Sequence, residues 1–216
     1  MKTFVALLRG INVSGQKKVP MAQLRQQLQD LGLKGVQTYI QSGNIVFTHT
    51  ASVEKLTNMI HTMIKEKYGF DVPVLILTES DLRRTVENNP YLPAHEDEMQ
   101  FLHVTYLEGK PEAQKVESLR NVDMDSGKDV FSFKDQFIYL YCPGGYGKTK
   151  FNNNFFESKL KVKATTRNWK TTLQLWHMIQ EVGTIYLYLV FLNPLTVPVC
   201  YMIIRSPLVI TQTDPL

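Results

Sequence analysis

The stretch Phe4-Val5-Ala6-Leu7-Leu8-Arg9-Gly10-Ile11-Asn12-Val13-Ser14-Gly15, followed by Gln16-Lys17-Lys18-Val19-Pro20, decides how the chain is read. Its β-prone apolar run, bounded by Arg9-Gly10, predicts a buried strand over 3–8. Pro20 suits the first turn of a helix, where its missing N–H is not needed. Leu24, Leu28 and Leu31 then recur at helical spacing, and Gly32 ends the helix.

Working outward, strands are predicted over 36–40 and 45–47. They are joined by Gln41-Ser42-Gly43-Asn44, whose glycine and asparagine tolerate the positive φ of a tight hairpin. Ser52 caps a helix carrying Leu56, Met59, Ile60 and Met63 on one face up to Tyr68-Gly69, and a strand over 73–77 completes β-α-β-β-α-β. Thr78-Glu79-Ser80-Asp81 caps a short helix ending near Asn88, and 91–98 reads as a linker.

The same order then returns. A strand at 101–107 and a helix at 111–119 precede two strands, 130–133 and 137–141, that turn through Lys134-Asp135. A helix over 148–160, a weak strand over 162–165 and a final helix over 169–179 follow. An offset of about a hundred residues fits no short solenoid period, so a duplicated split β-α-β unit is the preferred reading.

These residues also carry a resemblance. The runs Leu7-Leu8-Arg9-Gly10-Ile11-Asn12-Val13, Tyr39-Ile40-Gln41-Ser42-Gly43-Asn44-Ile45-Val46-Phe47 and Ala164-Thr165-Thr166-Arg167-Asn168-Trp169 resemble the bacterial family called domain of unknown function 1697 over about residues 1–181. The resemblance implies a cytosolic α+β protein with two ferredoxin-like (β-α-β-β-α-β) halves from an internal duplication. It implies no activity and carries over no catalytic residue. The expected organisation is a first half at 1–78, a helix and linker at 79–98, a second half with its C-terminal helix at 99–181, and an atypical apolar tail at 182–216.

That tail departs from the family pattern. Residues 183–204 hold no charge, which by length alone would permit a membrane span. Asn193, Pro194 and Pro198 interrupt the run and would leave backbone groups unpaired in lipid, so a membrane role is disfavoured. An extension packed on the body, or the product of an altered reading frame, is the expectation.

Composition narrows the chemistry. A hydrophobic fraction of 44% with 20% charged residues is that of a folded soluble chain. Cys142 and Cys200 form no C-x-x-C pair, and the apolar run at 4–8 is too short for a signal-peptide core, so a cytoplasmic protein is expected. The five histidines make no H-E-x-x-H pair and no serine sits in G-x-S-x-G, which removes the common routes to metal hydrolysis and acyl transfer. His95-Glu96-Asp97-Glu98 reads as a solvated acidic linker rather than a cation site; no metal and no cofactor is expected.

The net charge of +4 hides a sharp asymmetry: residues 78–125 sum to −6 and residues 146–170 to +6. The acidic middle argues against a chain-wide nucleic-acid surface. Two candidate anion sites remain. Pro143-Gly144-Gly145-Tyr146-Gly147-Lys148-Thr149 follows a strand and opens a predicted helix, so Gly145, Gly147, Lys148 and Thr149 could receive a phosphate at a helix N-terminus. Cys142 stands where a Walker A loop needs its first glycine, which argues against nucleotide hydrolysis.

The second site is the edge where the loop at 9–15 and the hairpin at 41–44 emerge together, bringing Arg9, Asn12, Ser14, Gln41, Ser42 and Asn44 into one cluster. Arg167, in the third family-like run, joins this set. Arg9 is expected to lack a counter-charge and so to await an external anion. Against both readings stands the plainer one, in which the glycines serve turns and the asparagines satisfy local backbone. The best functional reading is an anionic-ligand-binding module for phosphate, nucleotide or, weakly, nucleic acid. The alternative is an enzyme on a small phosphorylated or carboxylated metabolite, for which Asp71 is the one visible acid–base candidate in the first half. Catalytic residues and oligomeric state are not legible.

Overall fold

A computed structural model describes residues 1–13, 15–120 and 128–191. Met1–Val182 form one compact unit, and the described residues 183–191 belong to a second. The first unit begins with β1 (Lys2–Leu8), α1 (Met21–Asp30), β2 (Lys34–Tyr39), β3 (Asn44–His49), α2 (Val53–Tyr68) and β4 (Val74–Thr78). After α3 (Glu79–Glu87) come β5 (Leu102–Leu107), α4 (Ala113–Arg120), β6 (Val130–Lys134), β7 (Phe137–Tyr141), α5 (Asn153–Leu160), β8 (Ala164–Asn168) and α6 (Trp169–Phe191). The result is a mixed α+β fold with two four-stranded antiparallel sheets, ordered β2-β3-β1-β4 and β6-β7-β5-β8.

The unbroken apolar run of β1 has a physical cause. Because successive side chains of a strand point to opposite faces, a strand covered on both sides needs apolar residues throughout. Phe4, Ala6 and Leu8 enter a core built with Leu24 and Leu28 of α1 and Leu56, Ile60 and Ile64 of α2. Val5 and Leu7 point the other way, into a core shared with Leu102, Val104 and Tyr106 of β5 and Phe137 and Tyr139 of β7. Ile138 and Leu140 of β7 then face a third core with Leu119 of α4 and Phe156 and Leu160 of α5. The layers therefore run helix, sheet, sheet, helix. Leu82 of α3 and Leu175, Met178 and Ile179 of α6 close the central layer.

Several boundaries follow local chemistry. Ser52 accepts a hydrogen bond from the Lys55 N–H, and Gly69 ends α2 in the left-handed conformation. Thr78 and Asp81 make a reciprocal capping box at the start of α3. The strand expected over 162–165 lies at 164–168, and the last helix, expected to stop at 179, continues to Phe191. Gly183 is the one local stop signal in its path and the helix runs through it, with no proline before Pro194. Residues 192–216 of the expected tail, and Ser14, lie outside the described residues. Among the described residues no helix is long and apolar enough to cross a membrane.

Candidate functional site

The loop after β1 and the β2–β3 hairpin do emerge together. The Leu8 N–H donates to the Gly43 carbonyl at 2.7 Å, and Leu7 pairs with Asn44 across the ladder. Gly43 is required here. Its φ is +77°, and a Cβ would stand 2.6 Å from Leu8 Cβ and 3.0 Å from Ile11 Cδ1.

Asn12, itself left-handed at φ 54°, braces the loop. Its Nδ2 donates to the Val19 carbonyl at 2.9 Å and to the Gln41 carbonyl at 3.0 Å, while its Oδ1 accepts from the Val19 N–H at 2.8 Å. One side chain thus ties the β1 loop, the entry to α1 and the hairpin together.

Between these three segments opens a cavity of about 600 Å³, walled by Asn12, Lys18, Pro20, Arg25, Thr38 and Gln41 among others. Its lining contains no carboxylate, and no ion pair joins Lys18 or Arg25 to one among the described residues. Arg25 Nη1 donates to Thr38 Oγ1 at 2.8 Å, which holds the guanidinium along the wall, and both Arg25 and Lys18 are exposed. Helix α1 starts on this cavity with Pro20 as its N-cap, no side-chain cap bond and no acid in its first turn. Its positive dipole end adds to the two cations.

Ile40, left-handed at φ 50°, also lines the cavity. It is 53% exposed, and Val13 in the opposing loop is 54% exposed. Cations and apolar surface therefore lie side by side at one edge.

The remaining sequence candidates divide into two groups. At the neighbouring end of the two sheets, Arg9 is already paired: Nη1 bonds Glu157 of α5 and Nη2 donates to Asn154 at 3.0 Å. The expectation that Arg9 lacks a counter-charge is therefore corrected. Glu157, the one acid between 146 and 170, also accepts the Ala164 N–H at 2.9 Å.

Arg167 of β8 reaches the hairpin from the other sheet. Its Nε donates to Asn44 Oδ1, Nη1 to the Thr166 carbonyl, and Nη2 to the carbonyls of Leu8 at 2.7 Å, Ser42 at 3.2 Å and Gly43 at 3.5 Å. Burial pulls its guanidinium down to about 10, with Tyr106 and Tyr146 opposing the fall, so it stays charged at neutral pH. Asn44 is fully buried, with its Nδ2 given to the Tyr39 carbonyl and Ser42 Oγ. Asn44 and Ser42 are thus internal to the hairpin.

The glycine-rich loop at 143–149 does not open a helix. Tyr146–Lys148 form a single 3-10 turn, and α5 begins only at Asn153, capped by its own Asn152. The expected helix over 148–160 is corrected accordingly, and Gly145, Gly147 and Lys148 do not stand on a helix N-terminus. Thr149 is buried and accepts the Phe151 N–H at 3.1 Å. The Tyr146 ring stacks on His103 at 4.8 Å. Its hydroxyl is buried near Thr166 and Asn153 but reaches hydrogen-bond geometry with neither.

Sequence reasoning missed Lys18, Arg25 and Thr38. The first two were visible as cations on either side of Pro20, within the opening stretch and its helix.

Comparison with known proteins adds the following. A family model described as "Protein of unknown function (DUF1697)" matches residues 1–139. No curated protein matches the chain. Among solved structures, the chain is similar to the conserved bacterial protein SP0830 from Streptococcus pneumoniae. The two share 29% identity with a TM-score of 0.66, over 82% of this chain and 98% of that one.

Proposed function

The chain belongs to the family of proteins of unknown function DUF1697, and for this member we propose a binding module for a small anion, a phosphate or phosphorylated metabolite, held in the cavity beside the start of α1. The carrying observation is the pairing of two cations with a lining that contains no carboxylate. Two neighbouring cations on an open concave surface attract an anion, and the uncapped end of α1 favours the same sign. Its volume is within the range of small-ligand sites.

A nucleic-acid surface over 146–170 has less support. Of the aromatics interleaved with its lysines, Phe151, Phe156 and Trp169 are buried in the second and third cores, and Tyr146 and Phe155 are half-buried against the third, which leaves little surface for base stacking. On the same footing we read the two sheets as duplicated ferredoxin-like units, because both place the second, third, first and fourth strands in that order.

The test is thermal stability in inorganic phosphate, with sodium chloride at matched ionic strength as control. A ligand at a hundred times its Kd stabilises by about 2.7 kcal/mol, which for a chain of this size raises Tm by roughly 5–10 °C. The double variant Lys18→Gln/Arg25→Gln is expected to lose the response. An equal rise in that variant would sink the reading, since general salt exclusion also stabilises folded chains.

A further inference from the structure

Arg167 is the one guanidinium between the sheets whose described partners include no carboxylate. A charge withdrawn from water without a counter-ion is costly, and its place is filled here by four backbone carbonyls and one amide oxygen. The planar fork is what makes this set reachable. It spans the end of β1 at Leu8, the hairpin at 42–44 and its own strand at Thr166.

The contacts fall directly beside the cavity wall. Ile40 and Gln41 line the cavity, and Ser42, Gly43 and Asn44 are the next three residues. On the cavity side Asn12 grips the Gln41 carbonyl; on the far side Arg167 grips the carbonyls of Ser42 and Gly43 and the side chain of Asn44. The left-handed Ile40 is a strained conformation for a β-branched residue and persists only if its surroundings fix it.

We propose that Arg167 is a positioning residue: from the second sheet it fixes the 40–44 hairpin and so sets the shape of the anion cavity in the first. This rests on the cavity being the binding site, but its first readout needs no ligand. A residue that merely joins the two sheets would loosen both equally when removed. A positioning residue loosens one segment.

The experiment compares wild type, Arg167→Gln, Arg167→Lys and Phe131→Leu. Phe131 lies in the third core on β6, the strand at the opposite edge of the sheet from β8, and serves as a destabilised control. Amide hydrogen exchange is read across the chain, and inorganic phosphate affinity is read by titration. In Arg167→Gln, exchange at Leu8 and at 41–44 is expected to rise by about tenfold beyond the change elsewhere, the factor carried by one hydrogen bond to a charged donor. Phosphate should bind about tenfold more weakly, the scale on which an outer partner acts on a bound group. Arg167→Lys keeps the charge without the fork and should fall between. Phe131→Leu should leave both local readouts at the wild-type value.

Uniform loosening in Arg167→Gln, or unchanged phosphate affinity in a wild type that binds, overturns the proposal. A wild type that binds no phosphate, with exchange localised to the hairpin, removes the anion reading and leaves the positioning role standing.

Discussion

Removing the Arg9–Glu157 pair distinguishes a structural arginine from a binding one. The pair joins the end of β1 to α5, and its side chains are 23% and 19% exposed, so it is sheltered but not sealed. Exposed pairs contribute about 0.2–1 kcal/mol, and breaking a fully buried one costs about 3–5 kcal/mol. At this exposure a coupling energy of about 1–2 kcal/mol is expected between the two sites. The measurement is a double-mutant cycle in urea with Arg9→Gln, Glu157→Gln and the two combined. Glutamine at 157 keeps an oxygen for the Ala164 N–H, so the cycle isolates the charge pairing rather than a lost backbone acceptor. The coupling should survive about 0.5 M salt, because a sheltered pair is weakly screened. A coupling below about 0.3 kcal/mol, with Arg9→Gln as stable as wild type but unresponsive to phosphate, would refute this and return Arg9 to the binding site.

Two further outcomes probe the hairpin and the outer face of the second sheet. Gly43→Ala forces a side chain into a left-handed conformation and against Leu8 Cβ, so a loss of roughly 2–4 kcal/mol is expected; an unchanged urea midpoint would mean the hairpin relaxes freely. Burial holds the His103 imidazole below its ordinary 6.5, so the unfolded chain takes up this proton first. Stability should then fall as pH drops below 6.5 and level off once the folded histidine titrates. His103→Phe, which keeps a ring against Tyr146, should flatten that part of the urea-midpoint profile between about pH 7.5 and pH 5, and equal slopes would show that another group carries it.

The unbroken apolar run of β1, the leucine spacing of α1 and the caps at Ser52 and Thr78 were legible because each is a local rule satisfied within a few residues. The face-to-face stacking of the sheets was not. Phe4 and Val5 are equally apolar, and nothing in a run buried on both sides says that one face meets helices and the other a second sheet. The error at α5 was of another kind. Asn152 announced the helix start, but Lys148-Thr149 after the glycines imitated a phosphate loop and drew the boundary five residues early. For α6 the misjudged end has the opposite cause, since helical spacing gave no reason to stop and the apolar change after Glu181 was taken for one.

The candidate site shows where residue type stops being informative. Arg9, Arg167, Lys18 and Arg25 all carry donors suited to an anion, and by sequence Arg9 and Arg167 looked the better placed. What separates them is whether those donors are already engaged. Glu157 stands 148 residues from Arg9, and Asn44 stands 123 residues from Arg167, separations that no local pattern encodes. Arg9 is neutralised by that distant acid and Arg167 is absorbed by carbonyls, so the donors of both are engaged within the protein. Among the described residues Lys18 and Arg25 flank the cavity with no carboxylate partner, beside a proline-started helix and with Arg25 on Thr38. The basic residues that stand out least in the sequence are therefore the ones on which the proposed anion site rests.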